Sequence, residues 1–259
     1  MDEFKPLLEA IAAARKPVFF TGAGVSTLCG IPDFRGPSGI YRDPDAARMF
    51  EIDQFDEDPS FFYRKADTLV YGNDETKPGP VHEALVALQR AGLCAGVVTQ
   101  NIDGLHERAG SSPVYAVHGS AATHHCRTCG DMKTFEEIRA IRGGVPGAVP
   151  RCKVCGGVYK PDITFFGESL PEAAFNGAIR LASGADLVVV LGSSLTVQPA
   201  ASIPPLALRA GGRLAIVNRG ETPLDRLAFF RADDLAAFAA AALAFAAAHP
   251  RAGGKEAAK

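Results

Sequence analysis

Neither sign of charge dominates this chain. Its 259 residues carry 27 Lys and Arg against 29 Asp and Glu, a formal net of −2, so no basic field points to nucleic acid or an anionic membrane. No uncharged apolar run approaches the ~20 residues of a spanning helix; the Ala-rich stretch from Leu235 to Ala248 is too short and too weakly hydrophobic. The N-terminus, MDEFKPLLEA, begins acidic and soon turns amphipathic, unlike a secretory signal. No internal repeat is evident. These absences leave a soluble, cytoplasmic, monomeric α/β protein as the expectation, with neither nucleic acid nor membrane as a partner. At 47% hydrophobic the chain is rich enough to bury a full core, as one large domain or one plus a small module.

What is present begins with cysteine. Cys126 and Cys129 form one pair, Cys152 and Cys155 another, with 22 residues between the pairs. Two thiolates two residues apart can hold one metal ion from a tight turn, and two such pairs complete the tetrahedral sulfur shell of Zn2+. Gly130, Gly156 and Gly157 follow the pairs and permit the turns such knuckles need. The spacing in a chain without secretory features argues against disulfides; a metal-free thiol cluster is the alternative. His124 and His125 abut Cys126 and are competing ligands. A closed four-sulfur site leaves no position for substrate, so this zinc is expected to be structural. Cys29 and Cys94 sit among apolar neighbours and read as buried hydrophobes.

Short β-branched runs alternate with helical patterns, the signature of a parallel sheet covered by helices. Helices are expected at Phe4 to Ala14, Val81 to Ala91 and Leu235 to Ala247, and strands at 18–21, 95–99, 114–117, 187–191 and 214–217, with a frayed tail. After the strands come Gly22-Ala23-Gly24, then Gln100-Asn101 with Asp103, then His118-Gly119, Gly192-Ser193-Ser194, and Asn218. In an open parallel sheet these carboxyl ends share one edge, where ligands bind. Gly22 and Gly24 read as a turn that lets backbone approach a pyrophosphate. Thr27 stands where a dehydrogenase fingerprint has its third glycine, which disfavours hydride transfer. The following Gly30 to Gly36 loop carries Phe34 and Arg35 and reads as a lid.

TGAGVSTLCGIPDFRG, TQNIDGLH, an HG, the two Cys pairs, GSSL and VN together resemble the sirtuins, NAD-dependent protein lysine deacylases, most of all their bacterial deacetylases. The resemblance runs from about Lys16 to about Asp234. It implies a doubly wound, Rossmann-like α/β sheet domain (1–35, 78–119 and 168–248) with a helical insertion (36–77), a smaller zinc-binding module (120–167) and a tail (249–259). It also implies NAD as a consumed co-substrate, one structural Zn2+ on Cys126, Cys129, Cys152 and Cys155, and acetyl-lysine proteins or peptides as partners. Position by position, Ala23 and Thr27 would line the diphosphate and ribose path. Phe34 would shield the anomeric carbon, with Arg35 near the phosphates. Gln100 and Asn101 would serve the nicotinamide ribose and an ordered water, Asn101 counting with the catalytic residues. Ile102 and Asp103 would hold the carboxamide. Ser193, Ser194 and Asn218 would contact the adenosine half, and Asp234 completes the cofactor set. His118 would be the general base, removing a ribose hydroxyl proton after the acyl-lysine oxygen has displaced nicotinamide, a task suited to a near-neutral pKa.

Members that prefer succinyl or malonyl groups carry a Tyr and an Arg three residues apart. Here Tyr63 is followed at that distance by Ala66, which favours a neutral acyl group, with Arg64 able to approach from another angle. The segments 160–167, with Thr164, Phe166 and Gly167, and 195–197, with Val197, read as extended edges that sandwich a substrate strand. Protein mono-ADP-ribosyl transfer and a non-catalytic NAD-binding regulatory module are the competing functions.

Overall fold

The computed structural model describes residues 3–36, 39–73 and 75–250; the expected tail from Arg251 lies outside them. Helix α1 (Lys5–Ala13) leads into β1 (Pro17–Thr21) and a 3-10 turn, Ala23–Cys29. Three short helices follow, α2 (Pro44–Arg48), α3 (Ile52–Glu57) and α4 (Pro59–Leu69). Then come α5 (Pro80–Arg90), β2 (Gly96–Thr99), α6 (Leu105–Ala109) and β3 (Val114–Ala116). A small unit contains β4 (Gly119–Cys126), β5 (Met132–Thr134), α7 (Phe135–Arg142) and β6 (Tyr159–Ile163). The chain returns through α8 (Glu172–Ser183), β7 (Leu187–Leu191), α9 (Pro205–Arg209), β8 (Arg213–Val217), β9 (Phe230–Ala232) and α10 (Leu235–Ala248).

The large sheet runs β3-β2-β1-β7-β8-β9 with every neighbouring pair parallel. Strands step outward on one side of β1, then outward on the other from β7. The switch point between β1 and β7 is where such a sheet opens a crevice at its carboxyl edge. Side chains alternate between two apolar layers, as period-two geometry requires. Phe19, Val97, Val189 and Ala215 pack in one layer with residues of α1, α5 and α10. Val18, Phe20, Val98, Val190 and Ile216 pack in the other with α8 and α9. Burying a phenylalanine such as Phe19 stabilises the fold by roughly 1.5–3 kcal/mol, so the strands are held by both faces rather than by pairing alone. Asp186 sets the register of the switch point: its carboxylate accepts the Arg15 and Lys16 N–H groups at 2.7 and 2.8 Å, tying the entry of β1 to the start of β7.

The small sheet, β5-β4-β6, is antiparallel. Its helix α7 opens with a reciprocal cap, Thr134 Oγ1 accepting from Glu137 N–H and the Glu137 carboxylate from Thr134 N–H. Between this unit and α2–α4 lies an aromatic core of Phe50, Phe55, Phe62, Tyr63, Tyr71 and Phe165, whose rings meet mostly edge to face, as at Phe50–Phe165 with centroids 5.8 Å apart. Strand β9 and the small sheet are absent from the sequence reading. Strand β3 ends one residue earlier than expected, and the three individually expected helices agree with α1, α5 and α10 to within a residue or two, whereas α6 to α9 are absent from the sequence reading.

Candidate active site

Six strand ends open onto one cavity of about 1150 Å³. Each contributes the residues that follow the last ladder pair. They are Gly22, Ala23 and Gly24 after β1; Gln100, Asn101 and Ile102 after β2; His118 after β3; Gly192, Ser193 and Ser194 after β7; Asn218 to Glu221 after β8; and Asp233 and Asp234 after β9. Thr27, Phe34 and Arg35 come from the loop after β1, Ile163 to Glu168 from the end of β6, and Val197 from the segment beyond β7. Every site residue expected around the cavity lines it except Asp103.

The turn after β1 is close-packed for a reason beyond the expected one. A Cβ on Gly22 would lie 2.7 Å from the Gly192 carbonyl oxygen, and one on Gly24 would lie 2.8 Å from Gly192 Cα. These glycines admit the neighbouring strand end as well as lining the cavity. Gly22 N–H donates to Leu191 O and Gly24 N–H to Gly192 O, which seals the junction. On the far side Ser193 Oγ donates to Gln100 Oε1 at 2.6 Å and accepts Leu195 N–H. Leu195 has φ +54°, a conformation that a branched side chain adopts only when its surroundings hold it there.

His118 is fixed from three directions. Its ring Nδ1 lies 2.9 Å from the Gln100 carbonyl oxygen. That oxygen can only accept, so Nδ1 carries the proton and Nε2 is left as the basic nitrogen. Its own carbonyl accepts Thr164 N–H at 2.9 Å, and Val117 N–H beside it donates to Thr99 O. Gly119 has φ +74°, and a Cβ there would sit 1.9 Å from the Asp162 carbonyl oxygen. Burial lowers the His118 pKa, the Gln100 carbonyl opposes this, and the Arg35 cation lowers it further. The ring is therefore neutral at pH 7, the state a general base needs.

Asn101 is buried and its amide donates to Ser26 Oγ at 3.1 Å. Ser26 Oγ in turn donates to Asp103 Oδ2 at 2.7 Å, and Asp103 Oδ1 accepts Leu105 N–H. Both carboxylate oxygens of Asp103 are thus engaged beneath the cavity. Asp234 lines the cavity while its carboxylate caps α10, accepting Ala237 N–H at 2.9 Å. Phe34 packs on Tyr41 and Phe50, with centroids 5.2 and 5.9 Å away, and Arg35 lies over Tyr41. The loop that reads as a lid is tied back by Ile40 N–H to Asp33 O and Tyr41 N–H to Phe34 O.

The acyl-recognition stretch is placed differently from its sequence assignment. Tyr63 is fully buried, its hydroxyl donating to Tyr159 O at 2.6 Å, and Ala66 is buried beside it. Neither lines the cavity, and Arg64 is held outside by Ser60 and Asp58. The apolar wall is built instead by Phe34, Phe50, Ile102, Ile163 and Phe165. Of these, Phe50, Ile163 and Phe165 were missed: Ile163 and Phe165 lie within a segment already singled out, whereas nothing in the sequence around Phe50 signals its role. Cys94 is buried as expected; Cys29 is only half-buried, its Sγ 3.8 Å from His82 Nδ1.

The four paired cysteines converge, their Sγ atoms all within 4.8 Å of one another. Cys126 and Cys155 are 3.5 Å apart and Cys129 and Cys152 3.7 Å, close to the ~3.8 Å edge of a tetrahedron with Zn–S of about 2.3 Å. The residues therefore fit Zn2+. His124 is turned away, bonded to Tyr71 Oη at 2.9 Å, and His125 pairs with Asp162; neither belongs to the cluster.

Residues 22–199 match the model of the Sir2 family. The chain is 44% identical to an NAD-dependent protein deacetylase of Thermotoga maritima over 226 residues, spanning 87% of this chain and 91% of that protein. It is 41% identical to an NAD-dependent protein deacetylase of Sulfolobus acidocaldarius over 229 residues, spanning 88% of each. Among solved structures, Sir2 with a p53 peptide and NAD+ superposes with a TM-score of 0.86 at 41% identity, covering 93% of this chain and 97% of that one. Sir2 with a deacetylated p53 peptide and 3'-O-acetyl ADP ribose gives 0.87 at 42%, covering 92% and 96%.

Proposed function

The chain belongs to the Sir2 family, and from that premise we propose that it removes acetyl groups from protein lysines with NAD as co-substrate, His118 acting as general base. The observation that carries this reading is the tautomer of His118. With Nδ1–H held by the Gln100 carbonyl, the basic Nε2 belongs to a residue on the wall where all six strand ends converge. When bound, NAD supplies an electrophilic anomeric carbon, releases nicotinamide and leaves as O-acetyl-ADP-ribose.

The protein's own groups do the rest. Ala23 and Thr27 offer a small side chain and a hydroxyl along the diphosphate and ribose path, with Arg35 lining the same cavity. Ser193, Ser194, Asn218 and Asp234 line the cavity and would serve the adenosine half. Gln100, Asn101 and Ile102 take the nicotinamide ribose and its base, and Asp103 acts from below through Ser26 and Asn101. Phe34 excludes water from the reacting carbon. His118 Nε2 accepts the ribose hydroxyl proton, which frees that oxygen to take the acyl group.

The substrate strand enters between residues 164–167 and Val197. The N–H groups of Thr164, Phe165 and Phe166 are taken up by His118 O, the Glu168 carboxylate and Phe50 O. A peptide would therefore pair with the Thr164 carbonyl and with Gly167, and such pairing tolerates many sequences. The aromatic wall favours a neutral acyl group. The four cysteines would hold Zn2+ as a structural staple, and none of them lines the cavity. Mass spectrometry of an acetyl-lysine peptide incubated with and without NAD tests the whole reading: loss of acetyl only with NAD, matched by nicotinamide release, is expected. Acetate release without NAD would refute it.

A further inference from the structure

Two histidines beneath the cavity take no part in the chemistry above. His82, on α5, and His106, on α6, are both fully buried, with ring centroids 4.6 Å apart and planes tilted by 54°. Hydrogen-bond logic fixes a proton on each ring. Gly79 N–H donates to His82 Nδ1 at 3.2 Å, so that nitrogen is an acceptor and the proton is on Nε2. Thr21 Oγ1 donates its single proton to Thr99 Oγ1 at 2.8 Å. The contact between Thr21 Oγ1 and His106 Nε2 at 2.9 Å must then be donated by the ring. His106 is thereby also protonated on Nε2, leaving Nδ1 as an acceptor.

The two remaining nitrogens, His82 Nε2 and His106 Nδ1, have no hydrogen-bond partner among the described residues, each other included, so the rings meet by packing alone. One is a donor and the other an acceptor, on facing rings. We propose that His82 and His106 form a proton-ordered pair, each protonated on Nε2, that positions the Gln100–Asp103 loop through Thr21 and Thr99. The line continues beyond the pair. Thr99 Oγ1 also accepts Asn101 N–H at 3.0 Å, and Asn101, Ser26 and Asp103 are linked in turn. Asp103 accepts Leu105 N–H, one residue before His106, so the line closes into a ring around the loop. Burial, reinforced by the neighbouring ring, pushes the His106 pKa down to about 3, and burial lowers that of His82. Neither ring gains a second proton at neutral pH, and the order of the chain is preserved.

Both histidines are positioning residues, since they act through Thr21 and Thr99. In its activity readout the inference rests on the deacetylase reading; in its spectroscopic readout it does not. Long-range proton–nitrogen correlation spectra of the wild-type protein at neutral pH are expected to show Nε2–H tautomers for both rings, and an Nδ1–H tautomer at either would overturn the pair. For activity, His106→Leu should lower kcat for deacetylation and for nicotinamide exchange about tenfold, the cost of a displaced reacting loop. KM for the acetyl-peptide should stay within about twofold, because that segment is on another element. His106→Gln, which can present an N–H to Thr21, should recover most of kcat. Unchanged kcat in the Leu variant, or a Gln variant as impaired as Leu, would overturn the positioning role. An inactive wild type would refute the deacetylase reading instead, and the spectra would still decide the pair. If the Leu variant does not fold, the Gln variant and the spectra remain decisive.

Discussion

Gly119→Ala tests whether the turn after His118 holds the base in place. The residue has φ +74°, which costs a side-chain-bearing residue about 1–2 kcal/mol. The added methyl would also lie 1.9 Å from the Asp162 carbonyl oxygen and 3.0 Å from its carbon, more than about 1 Å inside van der Waals contact. Asp162 belongs to β6, paired with β4 at Ser120, so the clash must push the start of β4 away from β6. His118 immediately precedes this point, and its carbonyl is bonded to Thr164 on the same strand end. A shift of about 1 Å at a reacting group costs on the order of 100-fold in rate. The backbone cost alone should lower Tm by roughly 2–8 °C in a protein of this size. The assay is kcat for NAD-dependent removal of acetyl from a peptide, with Tm, zinc content and NAD affinity measured on the same sample. Zinc content should be unchanged, because the cysteines lie at the other end of β4. A variant with kcat within about threefold of wild type would refute the argument that this backbone places the base.

His118→Ala should reduce kcat by ~100-fold or more with NAD affinity much less affected; near wild-type turnover would move the base elsewhere. Because burial lowers the His118 pKa, the basic form gains population as pH rises through a value below the ordinary 6.5. The acid limb of kcat/KM should therefore lie below pH 6.5, and a limb above it would contradict the neutral tautomer described. Cys126→Ala or Cys152→Ala should lower zinc content, Tm and activity together, since metal binding is coupled to folding; a folded, zinc-loaded variant without turnover would point to a catalytic metal. On one peptide, acetyl-lysine should exceed succinyl-lysine in kcat/KM by roughly tenfold or more, because an unpaired buried carboxylate costs several kcal/mol. Faster removal of succinyl would show that a cation reaches the wall of Phe34, Phe50 and Phe165.

The sheet and its binding edge were legible because apolar runs such as Leu187–Leu191 stop abruptly at small or hydrogen-bonding residues. Such a run cannot continue as a buried strand past Gly192-Ser193. Strand β9 was not legible: Phe230, Arg231 and Ala232 are too few to show a period, and only pairing with β8 identifies them. The cysteine spacing fixed the ligand set locally. Tyr63 marks the opposite case. The family resemblance placed it near the acyl group, but packing turns it into the aromatic core against Tyr159. Phe50 reaches the wall only through the fold of α2 and α3, a long-range event with no local mark. Asp103 lies in a legible motif, yet its carboxylate bonds downward to Ser26, and no one-dimensional pattern shows direction.

The boundary between ladder and cavity falls between consecutive residues: Thr21 and Gly22, Leu191 and Gly192, Val217 and Asn218. Core and site are therefore adjacent in the chain, and a substitution at Asn218 can retune recognition while leaving the packed layers intact, whereas Gly22 and Gly192 meet neighbouring backbone and admit no side chain. The two ends of the cavity are also carried by different segments. In the proposed reading the adenosine end depends on the loops leaving β8 and β9, whereas the acyl end depends on Phe34, Phe50 and Phe165. Selection, or a protein engineer, can remake acyl preference without revising how the nucleotide is held.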